Sequence, residues 1–231
     1  MLLLLGTRQM LKRVPKDFHI TVLGRKITPV PFAKDLGVIM DSEFSYNNHI
    51  SNIVSTCIAS LCQINRVKHI LDYQTLIIII NALIFSKLYY CSSVWSNTSK
   101  RNIAKLQSVR NFAARIVTGT RKYDHVTPVL QQLCWLLVSY MLKFRDAVMA
   151  FKCMNGLAPS YLCEIHNANT RHNNKLDIPI YKLASGQRTF LYRAVVLWNE
   201  LPDSIKNSEN LIHFKSKYNR ILLKDFLDTP S

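Results

Sequence analysis

Glycine is scarce in this chain, with 6 of 231 residues against an average of about 7%. That argues against a Gly-rich phosphate-loop enzyme and a many-turned β-sandwich, and it favours helices. The six cysteines, Cys57, Cys62, Cys91, Cys134, Cys153 and Cys163, are too sparse for a disulfide-built scaffold. Cys57, Cys62 and Cys91 fall in apolar helical patterns, where a free thiol behaves as a small hydrophobe. The expectation is a reduced, intracellular protein of cytoplasm or nucleus. Residues 1–5 are apolar but stop at Gly6 with no basic residue before them, unlike a secretory leader with its charged start and apolar run of about 7–15 residues. The most apolar stretch, residues 76–90, holds Asn81, Ser86 and Lys87 and falls short of the roughly 20 residues a bilayer span needs. No membrane partner is expected.

Acidic residues are also missing where bases are dense. No Asp or Glu occurs from Tyr73 through Tyr123, a window that holds Lys87, Lys100, Arg101, Lys105, Arg110, Arg115, Arg121 and Lys122. Across the chain, 30 Lys and Arg against 14 Asp and Glu leave a formal charge of +16. Hydrophobic residues make up 48%, so this is not a disordered basic tail, which would lack the apolar surface to offset chain entropy. The length suffices for one good-sized core or two small ones.

The pattern predicts a mainly α fold with a small N-terminal antiparallel β element. Leu2, Leu3, Leu4 and Leu5 look like the edge of a buried strand, as though the chain began in the middle of something. Phe18-His-Ile-Thr-Val-Leu23 reads as a strand, with Gly24-Arg25 as a two-residue turn and Lys26-Ile-Thr28 returning. Pro29 and Pro31 mark an edge. Asp35-Leu-Gly-Val-Ile-Met40 is a third extended run, in which Gly37 signals a bulge or a close backbone approach.

From Asn47 the period changes. Ile50, Ile53, Val54, Cys57, Leu61 and Ile64 recur at three and four, the mark of an amphipathic helix. Further helices are expected over residues 73–90, from Ser99 as N-cap to Thr118 with Gly119 as the stop, after Thr127-Pro128, and over 139–155, 159–165, 188–201 and 211–226. Residues 166–174 read as a loop and 178–183 as a short strand. Trp135 and Trp198 sit in amphipathic patterns as core anchors.

On a wheel at about 100° per residue, Lys100, Arg101, Lys105 and Arg115 share one arc, and Ile103, Leu106, Val109, Ala113, Ile116 and Val117 the opposite one. Arg110 falls in the apolar arc and needs a partner or an exit. A helix with one face in a core and one cationic face suits a phosphate backbone. Tyr89, Tyr90, Trp95, Phe112 and Tyr123 lie in the same basic zone and could stack on bases, with core packing expected for at least one of the two adjacent tyrosines.

Catalytic constellations are absent. There is no Asp-Asp pair for a two-metal nucleotidyl transfer, and Asp17, Asp35 and Asp41 stand apart. No Gly-x-Ser-x-Gly, His-Glu-x-x-His or Gly-rich phosphate loop occurs. Asp124-His125 reads as a loop before a cap. Cys153, Cys163, His166 and His172 could supply four zinc ligands, but their spacing does not match compact zinc-finger spacing.

Several phrases resemble one family. Ala33-Lys-Asp-Leu-Gly-Val-Ile-Met-Asp41 is similar to the strand just after the palm in reverse transcriptases of LINE-type (non-LTR) retrotransposons. Leu88-Tyr-Tyr-Cys-Ser-Ser-Val-Trp95 resembles that family's post-palm helix, and Lys105-Leu-Gln-Ser-Val-Arg-Asn-Phe-Ala-Ala-Arg-Ile-Val117 a later one. Asn155-Gly-Leu-Ala-Pro-Ser-Tyr-Leu162 and Leu197-Trp-Asn-Glu-Leu-Pro202 follow in the same order. Arg110 stands where Gln is usual, and Leu137 where Pro often is.

The resemblance implies part of an RNA-directed DNA polymerase: the end of the palm in residues 1–45, a thumb-like helical bundle in 46–125 and a helical C-terminal extension in 126–231. Leu36 and Gly37 would match the primer-grip strand. Lys100, Arg101, Lys105, Arg115, Arg121 and Lys122 would join them as nucleic-acid contacts. The implied partners are RNA, RNA–DNA or DNA duplex, and the fingers and palm that carry the family's aspartates. No catalytic residue carries over, Mg²⁺ is expected only for the full-length polymerase, and the chain alone is expected to be inactive. The other reading is a non-catalytic helical protein-interaction module.

Overall fold

A computed structural model of the chain describes residues 2–162 and 175–228. The fold is mainly helical with a small N-terminal β element. It divides into two compact units: residues 1–91 with 98–109, and residues 92–97 with 110–231.

In the first unit, β1 (Leu2–Leu3) pairs in parallel with β4 (Pro29–Val30), and a short helix, α1 (Arg8–Leu11), follows β1. β2 (Ile20–Val22) and β3 (Arg25–Ile27) form an antiparallel hairpin in which Val22 faces Arg25. The turn is thus Leu23-Gly24, one residue earlier than expected. Leu23 (φ 49°) and Gly24 (φ 76°) are both left-handed, the pattern of a type I′ turn, whose twist matches that of the strands.

The expected single run over 35–40 is a second hairpin. β5 (Phe32–Asp35) and β6 (Val38–Asp41) pair antiparallel, with Asp35 opposite Val38, so Leu36 and Gly37 form a tight turn rather than lying in a strand. Their φ values are 42° and 88°. The close approach expected at Gly37 is present: a Cβ there would sit 3.2 Å from Tyr90 Cε1.

Asp41 steers the chain into the first long helix. Its carboxylate accepts the N–H groups of Glu43 (3.1 Å), Ser45 (2.9 Å) and Tyr46 (2.6 Å) and the Ser45 hydroxyl (3.1 Å). α2 (Asn47–Val67) then buries Ile50, Ile53, Cys57, Leu61 and Ile64, with Val54 half-buried. After a 3₁₀ turn at Lys68–Ile70, Asp72 caps α3 (Tyr73–Ile80) by accepting the Thr75 N–H at 2.9 Å. The Thr75 hydroxyl, which also donates to this carboxylate, and then the Thr75 N–H hold the Asp72 carboxyl below its ordinary range.

The helix expected over 73–90 is not uniform. It widens to a π turn at Asn81–Phe85 before α4 (Ser86–Leu88). α2 packs on β6, on the π turn and on α4, and Leu76, Ile80, Ile84, Phe85, Leu88 and Tyr89 are buried in the same unit. His49 lies buried at the start of α2, and its Nδ1 accepts the Ile39 N–H at 3.3 Å. Burial lowers its pKa.

The second unit is built around α8 (Val138–Met154). Before it come α5 (Ser92–Trp95) and α7 (Thr127–Gln132); after it come α9 (Ala184–Gln187), α10 (Phe190–Glu200), α11 (Asp203–Lys206) and α12 (Leu211–Leu227). The first residue of α7 is Thr127 and its N-cap is Val126, a one-residue shift from the expected cap. α8 packs against α5, α10 and α12. Phe151 and Phe214 meet with ring centroids 4.4 Å apart, and Trp135 and Trp198 are buried as expected. Thr189 and Asn210 cap α10 and α12.

The strand expected over 178–183 does not form. The neighbouring Leu176 N–H and C=O are met by the Asn199 side chain at 2.8 and 2.9 Å, so an amide serves where a partner strand would. The expected helix over 159–165 is a 3₁₀ turn at Ser160–Leu162, and its remainder lies outside the described residues, as does the loop expected over 166–174.

A buried polar knot holds the second unit. Asp146 accepts the Ser96 hydroxyl at 2.9 Å and pairs with the Arg193 guanidinium at 3.4 Å. Arg193 also donates to Ser93 O (2.8 Å) and Ser96 Oγ (2.9 Å). Burial raises the Asp146 pKa, and the Arg193 charge works against that rise.

α6 (Lys100–Thr118) contributes residues 100–109 to the first unit and 110–118 to the second. Among the described residues, no helix is long and apolar enough to cross a membrane.

Two outcomes are expected of this architecture. Asp146→Ala leaves Arg193 without its carboxylate and should destabilise the second unit by about 3 kcal/mol, read from urea denaturation. His49 binds a proton less readily folded than unfolded, so stability should fall as the pH drops below the ordinary histidine value of 6.5, until the folded chain also takes up the proton. His49→Gln should flatten that slope in melts between about pH 5 and 8.

Candidate nucleic-acid interface

The expected cationic helix exists, and it begins with a dense set of side-chain bonds. The Ser99 hydroxyl accepts the Asn102 N–H at 3.3 Å. The buried Asn102 amide donates to Asn47 Oδ1 and to Thr98 Oγ1, each at 2.8 Å, and the Thr98 hydroxyl donates to Ser45 O at 3.0 Å. These bonds join the start of α6 to the start of α2, while Leu106 and Val109 bury the apolar face. Lys100 and Arg101 are therefore exposed and Lys105 half-exposed. Lys105 Nζ donates to Ser51 Oγ at 3.2 Å, so its charge is held near the surface of α2.

Leu36 and Gly37 lie at the tip of the β5–β6 hairpin, with Leu36 84% exposed. The Tyr90 hydroxyl donates to Leu36 O at 3.0 Å. Beside the tip is a cleft of about 200 Å³ lined by Gly37, His49, Asn52, Ile53, Thr56, Lys87 and Tyr90. Sequence reasoning did not single out Lys87 as a contact. Its signal was present, as a cation in the acid-free window, but the apolar run around it pointed to the core. Lys87 also lies close enough to oppose the rise of the Cys57 thiol, which burial pushes up to about 11.

In the second unit, Ala113, Ala114, Ile116 and Val117 carry the apolar arc of α6 inward. Arg110 goes with them: it is buried, with its guanidinium 5.5 Å from the Trp135 ring centroid. The partner it needed is an aromatic face.

Arg115, one of the expected phosphate contacts, also makes hydrogen bonds within the chain. Its Nε donates to Arg121 O at 3.2 Å and its Nη2 to Asp124 O at 3.1 Å. Much of its planar fork is thus spent on the following loop, although its charge stays half-exposed. The Asp124 carboxylate accepts the Arg121 N–H at 3.0 Å. Arg121 and Lys122 project from this organised loop and are exposed.

The candidate stacking residues sort by burial. Tyr89 and Trp95 are core residues, and Trp95 has no exposed surface. Tyr90 is 49% and Tyr123 92% exposed.

Among the described residues, no group of three His, Cys, Asp or Glu side chains could hold a metal ion. Cys153 is buried in α8, and Cys163, His166 and His172 lie outside the described residues. Nor do the carboxylates near the hairpins fit a two-metal centre. Asp17 and Asp35 are exposed, and the Asp41 oxygens accept four hydrogen bonds.

No family model, curated protein or solved structure matches this chain.

Arg115→Gln should loosen the loop that follows α6. Trypsin cleavage after Arg121 and Lys122, followed by mass spectrometry under native conditions, is expected to quicken about tenfold if the two carbonyl contacts contribute ~1.5 kcal/mol, within the range for hydrogen bonds to a charged group.

Proposed function

We propose that this chain binds template–primer nucleic acid as the non-catalytic part of a LINE-type reverse transcriptase, comprising the palm's end, the thumb and the C-terminal extension. The observation that carries the reading is the disposition of α6. Its apolar arc is buried, while Lys100 and Arg101 are exposed and Lys105 half-exposed, in a window without a single carboxylate. Among the described residues, none of Lys100, Arg101, Lys105, Arg115, Arg121 and Lys122 forms an ion pair. Their charges remain available to phosphates, whose neutralisation releases counterions and drives binding without regard to sequence. The ordered phrases shared with that family support the same assignment. The sequence holds no Asp-Asp pair for metal-dependent nucleotidyl transfer, so in this reading its part in copying is to grip.

The test is a salt titration of the purified chain on an RNA–DNA duplex. Affinity should fall linearly on a log–log plot, with each phosphate contact contributing about 0.7–0.9 to the slope. Arg101→Glu with Lys105→Glu should weaken binding by about tenfold or more, to the same extent on unrelated sequences. A slope near zero would reject the reading, and nucleotide incorporation by the chain alone with Mg²⁺ would reject its non-catalytic part.

A helical protein-interaction module is the second reading, favoured by Ile70 (72% exposed), Ile78 (65%) and Leu83 (48%) in the first unit. Self-association on size exclusion that ignores added nucleic acid would favour it.

A further inference from the structure

We infer that the loop of residues 119–125 is a site for an unpaired nucleotide, with the Tyr123 ring stacking on the base and Arg121 and Lys122 holding the flanking phosphates. This rests on the nucleic-acid-binding reading and adds to it a preference for single-stranded polynucleotide at one place.

Tyr123 is 92% exposed, although a tyrosine ring ordinarily buries most of its area. The loop that carries it is held by contacts at its base. α6 stops at Gly119, whose φ is 73°. The Thr118 and Thr120 hydroxyls meet at 2.7 Å, and Thr118 Oγ1 also bonds Ala114 O at 3.0 Å. The Arg115 fork then grips the carbonyls of Arg121 and Asp124, the residues two before and one after Tyr123. Asp124, the one acid of the loop, turns its carboxylate onto the Arg121 N–H, with the Arg115 charge close by. Lys122 Nζ lies 5.8 Å from the Tyr123 ring centroid, a cation–π contact that braces one face.

The result is a preformed loop that presents an aromatic ring among cations. That combination is how proteins hold single strands, since every base offers a π face and the backbone charge is sequence-independent. A duplex keeps its π faces stacked inside and offers the ring nothing but its phosphates.

Fluorescence anisotropy with two probes tests the inference: a single-stranded RNA of about 12 nucleotides, within the span such sites cover, and a fully paired RNA duplex of the same length. Tyr123→Leu should weaken single-strand binding about tenfold, as expected for one lost stacked base, and change duplex binding by less than about twofold, because the cations remain. Tyr123→Trp should restore single-strand binding. The inference is overturned if Tyr123→Leu leaves single-strand affinity unchanged while the parent chain binds both probes, or if it weakens both probes equally. Failure of the parent chain to bind either probe overturns the nucleic-acid reading itself, and this inference with it.

Discussion

Everything in the proposed account depends on α6 burying one side while its other side has nothing nearby in sequence to neutralise it. Helix formation and burial of Leu106, Val109, Ala113, Ala114, Ile116 and Val117 fix the rotation of the helix about its axis. With that rotation set, Lys100 and Arg101 have nowhere to go but solvent. Because residues 73–123 contain no Asp or Glu, the helix carries no carboxylates of its own to absorb the charge. Hydrophobic burial thereby fixes the placement of the cations, and in the proposed account their field is met by an external anion.

Two arginines show how the same helix treats charges that do not fit this scheme. Arg110 stands on the apolar arc and is buried with its guanidinium over Trp135, so it serves packing. Arg115 stands on the cationic arc but spends its donors on two carbonyls, so it organises the loop that follows. A guanidinium is suited to both tasks because it is planar, weakly hydrated and rich in directed donors. The buried Asp146–Arg193 pair uses the same property, one guanidinium reaching a carboxylate, a hydroxyl and a carbonyl at once.

Long helices were legible from the sequence because periodicity and capping agree. Asn47–Val67, Lys100–Thr118 and Leu211–Leu227 all lie within a few residues of their expected spans. The hairpins were not fully legible, because both turns place leucine in the left-handed region, at Leu23 and Leu36, where sequence rules favour Gly, Asn or Asp. The π turn carries no local signal of its own. Burial of Trp95 and the Asp146–Arg193 pair depend on segments far apart in the chain, which no local pattern reports. The cations at Lys100, Arg101, Lys105, Arg121 and Lys122 stand out by charge alone, but the bonds from Arg115 to its loop and the cleft beside Lys87 arise from folding and carry no local signal.

The central claim, that α6 and the loop after it present their cations to a polyanion, is tested most directly by lysine footprinting. The folded chain is acetylated briefly with and without an RNA–DNA duplex, and each lysine is quantified by mass spectrometry. Protection concentrated at Lys100, Lys105 and Lys122 is the result the account predicts. Unchanged reactivity at these three lysines, or protection spread evenly over every lysine in the chain, would contradict it.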